Sequence, residues 1–226
     1  GAFTVKESDC KPTITGLTYQ DTNATAVAIT GNNQDIVRNI STVRYTASGL
    51  AGTKSASIVS VQVNVNGNSY TLTMSGSTAT GGNATINSGT NVTATVTVTD
   101  SRGITNTKTV TVTMLDWSVP SAILSVNRQN NYYSETDFKV DAQYAYINGH
   151  NTITITYRCV REDGGGSAVT GSLQDNVTSV VTLDNNYAWL ITITLVDGFG
   201  GTATYNIRIS RGMPIVYFDR LNNAIG

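Results

Sequence analysis

The sequence predicts an all-β fold: two tandem immunoglobulin-like antiparallel β-sandwich domains followed by a short extended C-terminal segment. Along its 226 residues, apolar side chains alternate with Thr or Ser, a period of two that is typical of half-buried strands. Turn residues, mainly Gly and Asn, separate these runs at intervals of about 8–12 residues, as in sandwiches. The two halves also repeat one another, so each half is predicted to form one sandwich.

The first half contains the most regular strand pattern. The run from Ser57 to Val65 alternates strictly, and Asn66-Gly67 then supplies two residues that tolerate the positive φ of a type I′ hairpin turn. The returning strand is predicted over residues 68–74. Two further alternating runs, at 91–99 and 107–114, are predicted to close this domain as a second hairpin.

Strands of the second half are predicted at residues 138–146, 152–161, 187–196 and 202–210. Thirteen of the 17 aromatic residues follow position 116, so this domain can bury far more aromatic surface than the first. Trp189, on the penultimate strand, is the predicted centre of its core. Helical patterns are nearly absent from both halves.

The repeat is clearest where residues 87–103 align without a gap on residues 184–200, at an offset of 97 positions. Both segments contain a tight turn with Asp first and Gly fourth. An Asp carboxylate accepts backbone N–H bonds at the start of such a turn, and Gly supplies its left-handed residue. We therefore predict equivalent structural turns, formed by Asp100 with Gly103 and by Asp197 with Gly200.

Domain boundaries follow from the prolines and the repeat. Pro120 cannot donate a ladder hydrogen bond and favours extended backbone before it, which suits an interdomain crossing. The chain begins at Gly1 without Met and ends at Gly226, so we expect a fragment of a longer polypeptide. The predicted segments are an N-terminal extension, two sandwiches and a C-terminal linker or strand, at residues 1–10, 11–116, 117–211 and 212–226.

Composition excludes several classes of function. Charged residues make up 13% of the chain, and 14 basic against 15 acidic side chains leave a formal net charge of −1. This balance argues against a nucleic-acid partner, whose binding depends on Lys and Arg at phosphates, and against a polybasic membrane-surface protein. No apolar run approaches the length of about 18 residues that spans a bilayer, and no secretory signal pattern is present.

The two cysteines and the one histidine are too dispersed for a disulfide framework, a zinc site or a nucleophile–histidine pair. Cys159 lies inside a strand-like run and is predicted to be a buried thiol, and Cys10 is predicted to be free as well. His150 directly follows Asn148-Gly149, where we expect a solvent-exposed turn.

Carboxylates give no stronger sign of chemistry. Glu135 and Asp137 lie close together, but a solvated loop explains them at least as well as the opposed pair of a glycosidase. Residues 164–166 are all Gly and lack the strand–loop–helix context of a phosphate loop, so they are predicted to form a hairpin tip. EF-hand and RTX spacing is absent around the scattered aspartates, Asp163, Asp184 and Asp197. We predict no enzyme activity, no cofactor and no metal.

A pair of tyrosines, Tyr132 and Tyr133, is the one candidate binding feature. The pair lies in a polar stretch beside Asn130 and Asn131, and adjacent residues of an extended segment point in opposite directions. At least one ring is therefore expected at the surface, where a ring with neighbouring amides is suited to holding a sugar. The alternative is a structural role in which a ring closes the end of the sandwich.

Several stretches resemble the immunoglobulin-like region of minor structural and receptor-binding proteins in the tails of streptococcal siphophages. The resemblance covers most of the chain and is carried by residues 11–15, 19–33, 40–44, 119–128 and 212–226. It implies a structural part of a tail fibre or receptor-binding protein, a tandem spacer that supports host adsorption. No catalytic residues come with this family.

The resemblance also implies partners and a location. The partners would be other phage tail or baseplate proteins, and the location a virion that is assembled in the host cytoplasm and acts at the host cell surface. Cytoplasmic assembly would also explain free cysteines. Two alternatives stay open: a carbohydrate-binding module that recognises host cell-wall polysaccharide, and a repeat of a bacterial surface adhesin.

The last segment, residues 212–226, has apolar side chains on both faces of a short run from Met213 to Asp219. Pro214 prevents this run from joining a central ladder as a regular strand. We expect it to pack against neighbouring copies or a following domain. Because phage receptor-binding heads are commonly trimeric, the resemblance implies a homotrimer for the intact protein.

Overall fold

A computed structural model describes residues 10–213 and the backbone of two short C-terminal strands. Its contacts divide the chain into two units, Gly1–Trp117 and Ser118–Gly226. Strands dominate both units, as the alternating sequence predicts. No helix in the described part of the chain is long and apolar enough to cross a bilayer.

The first unit contains eight strands in the spatial order β1-β3-β6-β5-β4-β7-β8-β2. All neighbours are antiparallel except β2 and β8, which run parallel. The strands are β1 (Gly16–Asp21), β2 (Ile36–Val37), β3 (Val43–Ser48), β4 (Ile58–Val65), β5 (Asn68–Ser75), β6 (Thr78–Ala84), β7 (Asn91–Asp100) and β8 (Thr105–Leu115).

Strand β5 makes the sheet of this unit continuous. Its first half, residues 68–71, pairs with β4, and its second half, residues 72–75, pairs with β6. Strand β8 also approaches β1 on the other side of the unit, because the Lys108 ammonium of β8 donates to the carbonyl of Thr15, directly before β1, at 2.6 Å. The predicted sandwich is therefore a nearly closed eight-stranded barrel here, since one strand belongs to both of its faces.

Up to Ile209, the second unit has two separate sheets, β13-β10-β9 and β12-β11-β14-β15. The first unit has the same neighbour relations: its strands β6-β3-β1 correspond to β13-β10-β9, and its strands β5-β4-β7-β8 correspond to β12-β11-β14-β15. The strands are β9 (Ser121–Arg128), β10 (Glu135–Gln143), β11 (Ile153–Arg161), β12 (Val169–Leu173), β13 (Ser179–Thr182), β14 (Trp189–Asp197) and β15 (Thr202–Ile209).

Each unit has its own hydrophobic core. The first core consists mainly of the inward Val and Ala side chains of the alternating strands, around the fully buried Tyr45. The second contains Phe138 and Trp189 among Ile and Leu side chains. Trp189 is 4% exposed, and its indole N–H donates to the Asp184 carbonyl at 3.0 Å, which confirms it as a core residue.

A short helix, α1 (Ala24–Thr30), was not predicted. Its residues are Ala, Thr, Val and Ile, most of which favour strands. The helix forms because the Asn23 side chain caps its first turn, accepting from the Ala26 N–H at 3.1 Å, and Gly31 ends it in a left-handed conformation. The two capping residues, Asn23 and Gly31, were the sequence signal that could have predicted this helix.

One strand of the second unit lies three residues earlier than predicted. Strand β10 spans Glu135–Gln143, so Glu135 and Asp137 belong to a strand and not to a solvated loop. Tyr144 and Tyr146 follow the strand, and Tyr146 is 64% exposed. The Gly-rich residues 164–166 do lie at the tip of the β11–β12 hairpin.

Two short strands, β16 (Phe218–Asp219) and β17 (Ala224–Ile225), pair in antiparallel fashion near the C-terminus. The remaining residues after Met213 and the first nine residues lie outside the described part of the chain. The predicted N-terminal extension, and the predicted packing of residues 212–226 against neighbouring copies, fall largely in these segments.

Candidate functional site

Arg128, the last residue of β9, organises the loops at one end of the second unit. The residue is 9% exposed, and its side chain donates to five backbone carbonyls at 2.7–3.3 Å, those of Tyr133, Leu183, Asp184, Tyr187 and Ser210. Burial lowers the pKa of the guanidinium, while nearby Asp184 raises it. One fork of donors therefore fixes three loops that are far apart in sequence.

The predicted tyrosine pair lies on one of these loops. The rings of Tyr132 and Tyr133 meet edge to face with centroids 4.6 Å apart, and the two residues are 38% and 39% exposed. The hydrogen bond with Tyr133 raises the pKa of Tyr132. The Asn185 amide donates to the Tyr132 carbonyl at 2.8 Å, which attaches the pair to the loop between β13 and β14.

A groove of about 500 Å³ lies at the same end of the unit. It is lined by the residues after β11, by the loop before β14 and by the end of β15 and its continuation. This volume falls within the range of about 300–1,000 Å³ that is usual for small-ligand sites. The polar and aromatic side chains that line it are Glu162, Asp163, Asn186, Tyr187, Arg208, Ser210 and Arg211.

Two ion pairs hold the walls of the groove. Arg208 meets Glu162 with two parallel bonds, Nε to Oε1 and Nη2 to Oε2, both 2.8 Å long. This pairing lowers the pKa of Glu162. Arg161 pairs with Asp163 and also lies over the Tyr187 ring, with the guanidinium carbon 3.2 Å from the ring centroid. Cation–π contact and ion pairing together hold the Tyr187 ring in place.

Arg211 differs from these arginines. Its side chain is exposed and has no hydrogen-bond or ion-pair partner within residues 10–213. The groove therefore combines fixed donors and acceptors with one available positive charge.

The predicted structural turns lie at equivalent places in the two units. Gly103 and Gly200 have φ values of 80° and 86°, and each donates its N–H to the carbonyl of the Asp three residues earlier. Asp100 Oδ1 accepts from the N–H groups two and four residues ahead, at 2.9 and 3.1 Å. Asp197 Oδ1 makes the same two bonds at 3.1 and 2.7 Å.

The second carboxylate oxygen distinguishes the two turns. Asp100 Oδ2 accepts from Arg102 at 2.6 Å, and this bond lowers the pKa of Asp100. Asp197 Oδ2 instead accepts from the buried amide of Asn151 at 3.3 Å. Both carboxylates are buried and hydrogen-bonded, so they stabilise turns and are not presented to a ligand.

Other residues considered from the sequence are not brought together. Cys159 is fully buried, which raises the pKa of its thiol to about 12, whereas Cys10 is partly exposed. His150 is exposed at a turn. Asp137 accepts a bond from Gln129 at 2.8 Å. Within the described residues, no three His, Cys, Asp or Glu side chains are arranged to hold a metal ion.

Sequence reasoning missed the groove, Arg128 and Tyr146. Tyr146 was assigned to a strand, but Ile147 and Asn148 after it have φ values of 44° and 53°. The Asn-Gly pair at 148–149 was the signal for this turn. Arg128 and the groove had no local signal, because their contacts join segments up to 82 residues apart.

Comparison with known proteins places the chain in a viral context. A family model described as "Siphovirus protein of unknown function (DUF859)" matches residues 2–207. No curated protein matched the sequence.

Among solved structures, the chain is similar to one from a study of host cell surface retention of a 1.5-MDa bacterial ice-binding adhesin, with a TM-score of 0.51 at 15% identity. The match covers 89% of this chain and 64% of that one, and it shows a shared fold only. A structure from a study of promiscuous carbohydrate-binding modules of the β-sandwich superfamily matches with a TM-score of 0.33 at 10% identity, over 90% of this chain and 97% of that one.

Proposed function

Since the chain belongs to the siphovirus protein family DUF859, we propose that it is a structural part of a phage tail fibre or receptor-binding protein, a tandem immunoglobulin-like spacer that supports host adsorption. The observation that carries this proposal is the repetition of one strand order in two consecutive units with separate cores. Equivalent Asp–Gly turns in both units support the same interpretation.

Other tail or baseplate proteins are the proposed partners, and the virion is the proposed location. The chain would be assembled in the host cytoplasm and would act at the host cell surface. A net charge of −1 supports the absence of a nucleic-acid partner. Family membership also favours a phage protein over the bacterial adhesin repeat that the sequence left open.

Labelling of intact virions tests this proposal. Antibodies raised against residues 11–211 should label the tail of the phage in electron micrographs, and excess free chain should leave adsorption to host cells unchanged. Virions without label would contradict a structural role. Label combined with strong inhibition of adsorption by the free chain would replace the spacer with a binding module.

A carbohydrate-binding module for host cell-wall polysaccharide is the second candidate function. Its specific observation is the exposed, edge-to-face pair of Tyr132 and Tyr133 beside the Asn185 amide. Tyr rings offer both an apolar face and a hydroxyl to a sugar. Purified host polysaccharide should quench tryptophan fluorescence saturably, and the change to Ala at both tyrosines should abolish it. Binding that survives both changes would exclude this pair.

No catalytic role is proposed. Glu135 and Asp137 lie two residues apart on one strand, β10, and so share one face of it. We expect no hydrolysis of peptidoglycan or cell-wall polysaccharide. Turnover that disappears in Glu135→Gln would contradict this expectation.

A homotrimer is proposed for the intact protein. Sedimentation of this chain beside one extended through the following residues tests it. A monomer in both experiments would exclude the trimer.

A further inference from the structure

We propose that the groove beside Tyr187 binds an acidic saccharide, a sugar that carries a carboxylate or phosphate group. This inference goes beyond the spacer role and uses a different site from the Tyr132–Tyr133 pair. It depends on three properties of the groove: its matched donors and acceptors, its one unpaired cation and the fixed positions of its walls.

Hydroxyl-rich ligands need donors and acceptors at fixed positions. The Glu162–Arg208 pair places a carboxylate and a guanidinium side by side, held by two bonds of 2.8 Å. The Asn186 amide and the Ser210 hydroxyl add groups that can both donate and accept. A few such polar groups around an aromatic wall are characteristic of small-ligand sites. The groove therefore suits a sugar ring with its several hydroxyls.

The charges select an acidic ligand. Glu162 neutralises Arg208, and Asp163 neutralises Arg161, so Arg211 supplies the remaining charge. A guanidinium forms bidentate, charge-assisted bonds with carboxylate or phosphate, and these are stronger than bonds between neutral groups. An anionic group on the sugar would fill this position, whereas a neutral sugar would leave Arg211 unmatched.

The walls of the groove are held before any ligand arrives. Arg128 binds the carbonyls of Tyr187 and Ser210 at 3.1 and 3.0 Å, so two walls share one buried anchor. Arg161 holds the Tyr187 ring from one side at 3.2 Å. Positions fixed in advance reduce the entropy that is lost on binding.

NMR titration of the isotopically labelled whole chain tests the proposal. The acidic probes are trigalacturonate and glucose 6-phosphate, and the matched neutral probes are galactotriose and glucose. We expect saturable shifts of the Asn186, Tyr187 and Ser210 amides with at least one acidic probe, and a Kd at least about tenfold higher for its neutral counterpart. Whichever acidic probe binds identifies the anionic group, and added salt should weaken that binding.

Three variants make the result specific. Arg211→Gln should raise the Kd for the acidic probe about tenfold, because it removes the unpaired charge and leaves a polar side chain of similar reach. Arg211→Lys should retain most of the binding. Lys139→Gln is the matched control, since Lys139 is an exposed cation on the opposite sheet of the same unit, and it should have no effect.

Four results would overturn the proposal. These are no saturable shift with either acidic probe, equal binding of neutral probes, undiminished binding in Arg211→Gln, or shifts centred on Tyr132 and Tyr133. The last result would move the saccharide to the tyrosine pair. None of them bears on the virion labelling, so failure of this site and failure of the spacer role remain distinguishable.

Discussion

Tyr45 carries the one buried side-chain oxygen without a hydrogen-bond partner among the described residues. Its ring is fully buried in the first core, beside Gly82. A buried hydroxyl that makes no bond has lost its hydration without compensation. Burial also raises the pKa of this phenol strongly.

The change Tyr45→Phe should therefore increase the free energy of unfolding of the first unit by about 1 kcal/mol, measured by urea denaturation. Tyr205→Phe is the matched control, because the Tyr205 hydroxyl accepts from the Ala122 N–H at 2.8 Å and its removal should destabilise the second unit. Equal destabilisation by both changes would show that a buried water satisfies Tyr45.

Arg128 shows the opposite situation, a buried charge with five acceptors. Arg128→Met keeps the apolar stem but removes the guanidinium donor from all five carbonyls, of which Asp184 still accepts from the Trp189 indole, so it should destabilise the second unit by about 2–3 kcal/mol in urea. Arg158→Met, at an exposed arginine of the same unit, should change stability far less. Equal effects of the two changes would exclude Arg128 as the anchor of the loops.

The hydrogen-bond partners of Asp100 make the stability of the first unit depend on pH, and they determine the sign of that dependence. Bonds from Arg102 and from two backbone N–H groups lower its pKa below the ordinary value of 3.8. A carboxyl with a lower pKa in the folded state stabilises that state above its unfolded pKa, and this contribution disappears as the pH falls through the folded value. Stability of the first unit should therefore decline below about pH 4.

Carboxyl NMR checks this directly, because the Asp100 resonance should titrate below that of a solvent-exposed Asp. Arg102→Ala should raise its pKa and reduce the acid-dependent loss of stability. A normal Asp100 pKa in the unmodified chain would exclude the ion pair as its main partner.

At the scale of elements, the Asp–Gly turns allow a paired experiment. A Cβ at Gly103 or Gly200 would meet no atom within 4 Å, so substitution there tests backbone conformation alone. Val strongly disfavours positive φ, and each change to Val should cost its own unit about 1–2 kcal/mol. Ser101→Ala, in the same turn but without positive φ, removes only the 3.3 Å bond that the Ser101 hydroxyl accepts from the Ser57 N–H, so it should cost less than either change to Val. Thermal unfolding measures all three, and unchanged stability in both Val variants would contradict the equivalence of the turns.

Local signals made these hairpins predictable from sequence. Asn66-Gly67 has positive φ at both positions and joins β4 to β5, because type I′ turns need little beyond their own two residues. Helix α1 was not predicted because a run of seven residues rich in Thr, Val and Ile resembles a strand, and only its capping residues indicate a helix. The division of β5 between β4 and β6 depends on pairing partners distant in sequence, which no local pattern specifies.

At the scale of the whole molecule, the candidate groove could not be predicted either, because it depends on contacts between segments that are distant in sequence. Its walls come from the ends of β11 and β15 and from the loop before β14, and Arg128 joins them from β9. Periodicity identified each strand but not which strand ends meet. The Tyr132–Tyr133 pair was found because its two rings are adjacent in sequence and in a polar context.

Independent unfolding of the two units is the prediction that belongs to the whole chain. Core residues of the first unit lie between Leu17 and Met114, and those of the second between Phe138 and Ile209, so each core is assembled from its own strands. Calorimetry of the full chain should resolve two transitions. Gly103→Val should lower the temperature of one of them, and Gly200→Val that of the other, because the two turns join equivalent hairpins, β7 to β8 and β14 to β15. Residues 1–116 and 117–226, expressed separately, should each melt cooperatively near the corresponding temperature. A single transition that moves with either substitution, or halves that do not fold, would show that the two units unfold together as one cooperative body.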